Sequence, residues 1–177
     1  VESDYDHLVY FAIHEPDLWT YSLMQANSTE NMRAYLDSAL LKREKEDSYP
    51  FIVYDKVTKQ YAGSTRFYDY QNVHNTLQLG YTWYGKAYQG THVNTHCKSL
   101  LLSYAFDTLK VERLEFRADY KNHRSIAAMK RLGCTEEGVL RSNCAAPEGR
   151  RDSIILSILK SEWHERVKQK LTDKLDY

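Results

Sequence analysis

The chain has 177 residues, 42% of them apolar and 27% charged, with 24 basic and 24 acidic side chains. That length suits one domain with a sizeable core, and a formal net charge of zero argues against a general electrostatic grip on nucleic acid. An odd set of three cysteines, Cys97, Cys134 and Cys144, argues against a disulfide framework and for a reducing, cytoplasmic setting. No cysteine spacing resembles a metal site, and no metal is expected. No apolar run approaches the ~20 residues needed to span a bilayer, and no signal peptide is visible, so no membrane partner is expected.

Taken in order, Tyr5, Leu8, Val9 and Ala12 recur on one helical face, and Pro16 ends the run. Asp17 is placed to cap a short second helix through Trp19, Tyr21 and Leu23. Asn27-Ser28-Thr29-Glu30 is a helix-start signal, followed at helical spacing by Met32, Tyr35, Leu36, Ala39 and Leu40. The polar run from Lys42 to Ser48, just before Pro50, ends that helix. The period then changes to two. Strands are predicted over 51–57, 61–70 and 77–83, the first two forming a hairpin through Thr58-Lys59-Gln60. In the third, Leu77, Leu79, Tyr81 and Trp83 are expected on one face and Gln78, Gly80, Thr82 and Tyr84 on the other.

A long helix is predicted over about 94–109, with Val93, Cys97, Leu100, Leu101, Tyr104 and Ala105 on one face. A strand over 113–118 follows, and a βαβ crossover would set it parallel to the 77–83 strand. A short helix over 122–132 stops at Gly133, a suitable left-handed C′ residue. Strands over 135–140 and 152–159 are joined by a loop containing proline and glycine, and a charged terminal helix repeats Trp163, Val167, Leu171 and Leu175. No repeat, linker or low-complexity tract appears, so residues 1–177 read as one domain.

The turn Tyr88-Gln89-Gly90-Thr91-His92-Val93-Asn94 feeds directly into the long helix. The first N–H groups of a helix point outward without partners, and its dipole adds partial positive charge there. Such a turn can hold a phosphate or pyrophosphate without a metal and without a lysine.

Three motifs stand in order: GYTWYGKAYQGTHVNTHCK, AFDTLKVERLEFRADYKNHRSIAAMKRLGCTEEGVLR and DSIILSILKSEW. Through them, over about residues 50–163, the chain resembles the GNAT acyltransferase superfamily and within it the RimJ/RimL-type N-acetyltransferases. The resemblance implies a mixed α/β fold with helices on both faces of a mostly antiparallel sheet of about six to seven strands. Its central parallel pair, here 77–83 and 113–119, splays apart. It also implies acetyl-CoA as co-substrate, with the pantetheine arm entering the gap like an added strand and satisfying its unpaired backbone groups. Tyr81, Thr82 and Trp83 would line that gap, and a backbone N–H among them is the natural oxyanion donor. Gln89, Gly90, Thr91, His92, Val93, Asn94 and Thr95 would cradle the pyrophosphate, with Gly90 allowing close approach. His92 departs from the family's usual glycine, and it would touch the diphosphate or adenine or simply face solvent. Asn122 and Ser125 match the family's N-x-x-S. Asn122 would contact the CoA arm and Ser125 would protonate the departing thiolate; helix capping is the plain alternative for both. The tyrosine that many members use as the acid is replaced by Met129.

Many members carry a catalytic Glu-x-Gly on the central strand, where this chain reads Gln78-Leu79-Gly80. Glutamine orients a water or an amine but accepts no proton. An α-amine of pKa ~8 is on the order of 10% neutral at pH 7, whereas a lysine near ~10.4 is neutral to less than about 0.1%. A general base contributes roughly 10²–10⁴-fold, so its loss is more tolerable for an α-amine. This favours a protein N-terminus as the acceptor over a lysine. Small-molecule amines (polyamine, amino sugar or antibiotic) and a non-catalytic acyl-CoA-binding role are the alternatives. Glu136, Glu137, Asp119 and His96 are candidate replacement bases, and Arg66, Tyr68 and Tyr84 are expected on the acceptor cleft. Cys144, in the loop before the last strand, reads as a bystander, while Cys97, Cys134 and Trp163 read as packing residues. A homodimer is open, such assemblies being common in proteins of this kind. The family normally begins with a strand before its first helix. Here only residues 1–3 remain for it, so it lies upstream or another segment takes its place.

Overall fold

The computed structural model describes residues 3–175. Helix α1 (Asp4–His14) and helix α2 (Thr29–Glu44) precede three strands, β1 (Ser48–Asp55), β2 (Gln60–Gln71) and β3 (Thr76–Tyr84). Then come α3 (His92–Ser103), β4 (Arg113–Asp119), α4 (His123–Leu132), β5 (Thr135–Ala146) and β6 (Gly149–Leu159). A last helical run joins α5 (Lys160–Glu162) to α6 (Lys168–Leu175) through a π turn at Trp163–Val167. Of residues 1–3, the stretch left ahead of the first helix for the family's opening strand, residues 1 and 2 lie outside the described residues.

The six strands form one sheet in the order β1-β2-β3-β4-β6-β5. Every neighbouring pair is antiparallel except β3 and β4. The mixed sheet with one parallel pair is thus the arrangement expected from the sequence. Local signals set the helix starts. Ser28 Oγ accepts from the Asn31 N–H at 3.1 Å, and Asn122 Oδ1 accepts from the Ser125 N–H at 3.1 Å. Gly133 stops α4 with φ 118°, a conformation that glycine adopts without the Cβ penalty.

Two cores flank the sheet. On one side Leu8, Phe11 and Ala12 of α1 and Met32 and Tyr35 of α2 pack on Trp19 and Trp83. On the other, Leu102 and Phe106 after the start of α3, Met129 of α4 and Trp163 pack on Leu77, Leu114, Leu156 and Ile158. Gly85 seats α1, because a Cβ there would stand 2.2 Å from the Phe11 ring.

Three expectations are corrected. The faces of β3 do not alternate throughout: Leu77 and Leu79 join the α3-side core, while both Tyr81 and Trp83 join the α1/α2 cluster. A bulge at Tyr81 adds one residue and reverses the pleat. The buried face of α3 carries Val93, Lys98 and Leu102, and Leu100 is 73% exposed. A reading by apolar period passes over the charged Lys98 and so centres the face elsewhere. Finally, β5 runs on to Ala146, which puts Cys144 on a strand, opposite Arg151, and not in a loop.

Candidate active site

Parallel pairing between β3 and β4 is confined to Thr76↔Arg113, Leu77↔Leu114 and Gln78↔Glu115. Beyond that point β4 continues against β6 as far as Asp119↔Ser153, and β3 follows β2. The bulge that turns β3 away lies where Ser64↔Trp83 and Arg66↔Gly80 leave two residues opposite Thr65. Tyr81 takes φ 51° there, a left-handed conformation that costs a non-glycine residue about 1–2 kcal/mol. The facing edges of the two strands therefore diverge with backbone groups that need partners.

Two helix starts stand at the open end. Thr91 caps α3: its Oγ1 accepts from the Val93 N–H at 3.3 Å and donates to the Tyr88 carbonyl at 2.7 Å. Gly90 has φ 74°, and no heavy atom lies within 4 Å of a Cβ built on it, so the turn is open above it. Gln89 ties this turn to both neighbours. Its Nε2 donates to the Tyr84 carbonyl at 2.8 Å, and its Oε1 accepts from Arg124 Nη1 of α4 at 2.5 Å. His92 is turned onto Asp55, with Nε2 3.3 Å from Oδ1, and stacks edge-on with His96. The side chains of Gln89 and His92 are thus engaged within the protein. Apart from the Val93 N–H that Thr91 takes, the first-turn N–H groups of α3 remain for an anion, and Arg124, which the sequence reading missed, adds a cation beside them.

On the α2 side of β2 and β3 lies a cleft of about 350 Å³, lined among others by Arg66, Tyr68, Asp69 and Tyr81. The guanidinium carbon of Arg66 is 4.3 Å from the centre of the Tyr81 ring and 5.3 Å from that of Tyr35. Burial, followed by the neighbouring Tyr81, pushes the Tyr68 hydroxyl up to about 12. Gln78 is buried, and its Nε2 donates to Asp69 Oδ2 at 2.5 Å. Gln71 Nε2 donates to the other oxygen of Asp69 at 2.5 Å. Asp69 was missed in the sequence reading. Its signal is register: Tyr68↔Gln78 pairing brings the following carboxylate beside the glutamine of the Gln-Leu-Gly motif.

Residues 1–135 match the acetyltransferase (GNAT) domain model. The chain belongs to the GNAT acetyltransferase family. A Bacillus subtilis (strain 168) protein named as a ribosomal N-acetyltransferase, YdaF, is 30% identical over 102 residues, which cover 58% of this chain and just 55% of that relative. A solved structure of an acetyltransferase from T. thermophilus is 30% identical, with a TM-score of 0.86 over 99% of this chain and 90% of that one. A spermidine N-acetyltransferase from Vibrio cholerae, 16% identical over 94% of this chain and 95% of its own, shares the fold with a TM-score of 0.71. Acyltransfer as the reaction class of the family agrees with these likenesses.

Within this GNAT framework the candidate residues separate. Arg66, Tyr68 and Tyr81 line the cleft, with Gln78 behind them on Asp69, and the Gln89–Arg124 hydrogen bond ties the turn before α3 to the helix that starts at Asn122 and Ser125. Tyr84 does not join the cleft. It is buried with Ala62 and Val93 on the α3 side, where burial, with Cys97 beside it, pushes its hydroxyl well upward. The bulge at Tyr81 is the reason. The four proposed replacement bases are also elsewhere. Glu137 is bound by Arg113 and by Ser157 Oγ, and the Arg113 contact, against the effect of burial, holds its carboxyl below the usual range. Glu136 pairs with Lys130 at 2.6 Å, Asp119 accepts from the Lys121 N–H at 2.8 Å, and His96 stacks on His92. Met129 and Cys134 are core, and burial pushes the Cys134 thiol up to about 12.

One buried charge had no place in the sequence reading. Lys98 of α3 is 6% exposed, donates to Thr82 Oγ1 at 3.0 Å and lies 5.8 Å from the Phe116 ring centre. Thr82 belongs to one diverging strand and Phe116 to the other, so the ammonium sits beneath the gap. Burial lowers its pKa from 10.5 to about 8, against weaker upward pulls from Cys97 and Cys134. Among the described residues no group of three or more His, Cys, Asp or Glu side chains is arranged to hold a metal, and no helix is long and apolar enough to cross a membrane.

Proposed function

We propose that this GNAT chain transfers the acetyl group of acetyl-CoA to a primary amine, the α-amine of a protein N-terminus, by direct attack. The divergence of β3 and β4 after Gln78 and Glu115, toward two capped helix starts, carries this reading. Unpaired strand edges suit an extended chain of amides, and open helix N–H groups suit a diphosphate at its end. Acetyl-CoA has both parts and brings an activated acetyl thioester. Backbone groups of Tyr81, Thr82 and Trp83 line the gap. The main chain from Gln89 to Thr95 takes the diphosphate, with Arg124 and the amide nitrogen of Asn122 alongside.

In the transfer, the new N–C bond forms as the C–S bond breaks. Asp69, steadied by Gln78 and Gln71, accepts the proton that the amine gives up. The Ser125 hydroxyl donates to the leaving sulfur and is reprotonated from water. A protein N-terminus is favoured by its low basicity and by the ribosomal N-acetyltransferase name of the Bacillus subtilis relative.

Calorimetry with acetyl-CoA, alongside thermal melting, tests the reading. Ligand at about 100 times its dissociation constant stabilises the fold by roughly 2.7 kcal/mol. Binding that weakens when Gln89 to Asn94 are replaced, and thiol release with N-terminal peptides, is the expected result. A folded sample that ignores millimolar acetyl-CoA refutes it. Binding without transfer to any amine leaves an acyl-CoA-binding protein, in which Gln78→Glu would be the variant to restore turnover.

A further inference from the structure

Arg66 carries a charge that nothing in the described protein neutralises. It is 2% exposed, and its Nε and Nη2 have no hydrogen-bond acceptor. No Asp or Glu among the described residues forms an ion pair with it. Guanidinium does not discharge itself by losing a proton, and burying an unpaired ion costs several kcal/mol. The rings of Tyr81 and Tyr35 stack on its faces, and stacking leaves the edges for hydrogen bonds. Nε and Nη2 are the two donors of one edge, the geometry that grips both oxygens of a carboxylate.

The surroundings agree. Ser48 Oγ, in the lining of the same cleft, is also buried without a partner, and so is Gln78 Oε1 behind Asp69. Buried polar groups are ordinarily satisfied, and although Trp19, Tyr35, Trp83 and Tyr84 each leave one such atom away from the cleft, the two on Arg66 belong to a charged group and face a ligand-sized opening. Asp69, whose two oxygens are each held by an amide, supplies the complementary charge. Lys42, Glu46 and Asp47 also line the cleft, but all three are exposed, where solvent screens them.

We infer that the acceptor is an amine that also bears a carboxylate, with Arg66 taking the carboxylate and Asp69 the ammonium before transfer. This rests on the acetyl-transfer reading for its consequence, but the binding itself does not require turnover. The shared chemistry has two sources, a free amino acid or an acidic side chain at the start of a polypeptide.

The test compares acid and amide pairs by calorimetry, with and without CoA: alanine against alaninamide, and C-terminally amidated short peptides beginning with Asp or Glu against those beginning with Asn or Gln. Spermidine is the cationic control. The expected result is at least tenfold tighter binding of the acid in one of the two series, lost in Arg66→Gln and only partly kept in Arg66→Lys. Preference confined to the free amino acid over its amide identifies an amino acid, and preference confined to the peptides identifies a polypeptide N-terminus. Equal binding of acids and amides, no binding of either series, or tighter binding of spermidine overturns the inference. These comparisons use the unaltered protein, so a variant that fails to fold does not spoil them. Acetyl-CoA turnover is measured separately. Turnover on spermidine alone would overturn the carboxylate assignment and leave acetyl transfer standing.

Discussion

Lys98→Met is expected to stabilise the fold at neutral pH. Met keeps the length of the side chain and removes the charge. A fall in pKa from 10.5 to about 8 corresponds to a penalty of about 3 kcal/mol for the protonated form. The folded pKa lies below the unfolded one, so the unfolded chain binds more protons in between. The penalty is complete below pH 8 and fades as pH rises from about 8 to 10.5. The substitution also removes the hydrogen bond to Thr82, worth about 1–2 kcal/mol. The net gain at pH 7 is then about 1–2 kcal/mol, or a rise in Tm of roughly 4 °C for a chain of this size. Urea unfolding of both proteins at pH 7 and at pH 10 measures it. The advantage of Met should be gone by pH 10, where the lysine is largely neutral in the fold. A variant that is less stable at pH 7, or a difference that is the same at both pH values, would refute the reasoning. A residue retained at such a cost is expected to serve the gap beneath which it lies, and thiol release by the stabilised variant should be slower.

Ser125→Ala should slow turnover and leave acetyl-CoA affinity nearly intact, because the cap of α4 comes from Asn122; unchanged turnover would reduce Ser125 to a helix-start residue. Asp69→Asn should lower kcat near pH 7 by roughly 10²–10⁴-fold, with partial recovery at higher pH as more of the amine is neutral; a flat pH response would remove Asp69 as the base. Gly90→Ala meets no atom, so its cost is the left-handed backbone, about 1 kcal/mol by thermal melting, together with weaker acetyl-CoA binding by calorimetry. Gly85→Ala drives a methyl group into the Phe11 ring and should cost roughly 1–3 kcal/mol in urea unfolding, whereas the same change added to Phe11→Ala should cost little beyond that variant's own loss.

The parts of this protein that were legible in the sequence are those with local causes. Ser28 and Asn122 announce helix starts because a short polar side chain can satisfy an orphan N–H three residues on, and each does so. The alternation in β1 and β2 and the helix between β3 and β4 called for a crossover and hence a parallel pair. What stayed hidden depends on contacts between segments far apart in the chain. Lys98 carries no local signal of burial, since charge is ordinarily at the surface, and only the fold brings Thr82 and Phe116 around it. Asp69 likewise carries no local signal, and only strand pairing sets it against Gln78.

The bulge at Tyr81 is the sharpest case, and it explains why one misread residue displaced several others. A bulge usually advertises itself by a glycine in the left-handed position. Here the neighbouring Gly80 stays out of that conformation and serves to admit the Tyr68 ring, which would stand 2.9 Å from a Cβ at that position. Tyr81 itself takes φ 51°. Nothing local favours this; the compensation is tertiary, from the Arg66 guanidinium 4.3 Å from its ring centre and the edge of Tyr68 at 5.3 Å. With side-chain period two, a single extra residue sends everything after it to the opposite face. Trp83 therefore goes to the α1/α2 core and Tyr84 to the α3 side, while Thr82 turns toward Lys98. The same residue that parts β3 from β4 thus also decides which side chains reach the gap and which reach the acceptor cleft, and the strain that it carries is held at the site by the cation on which its ring rests.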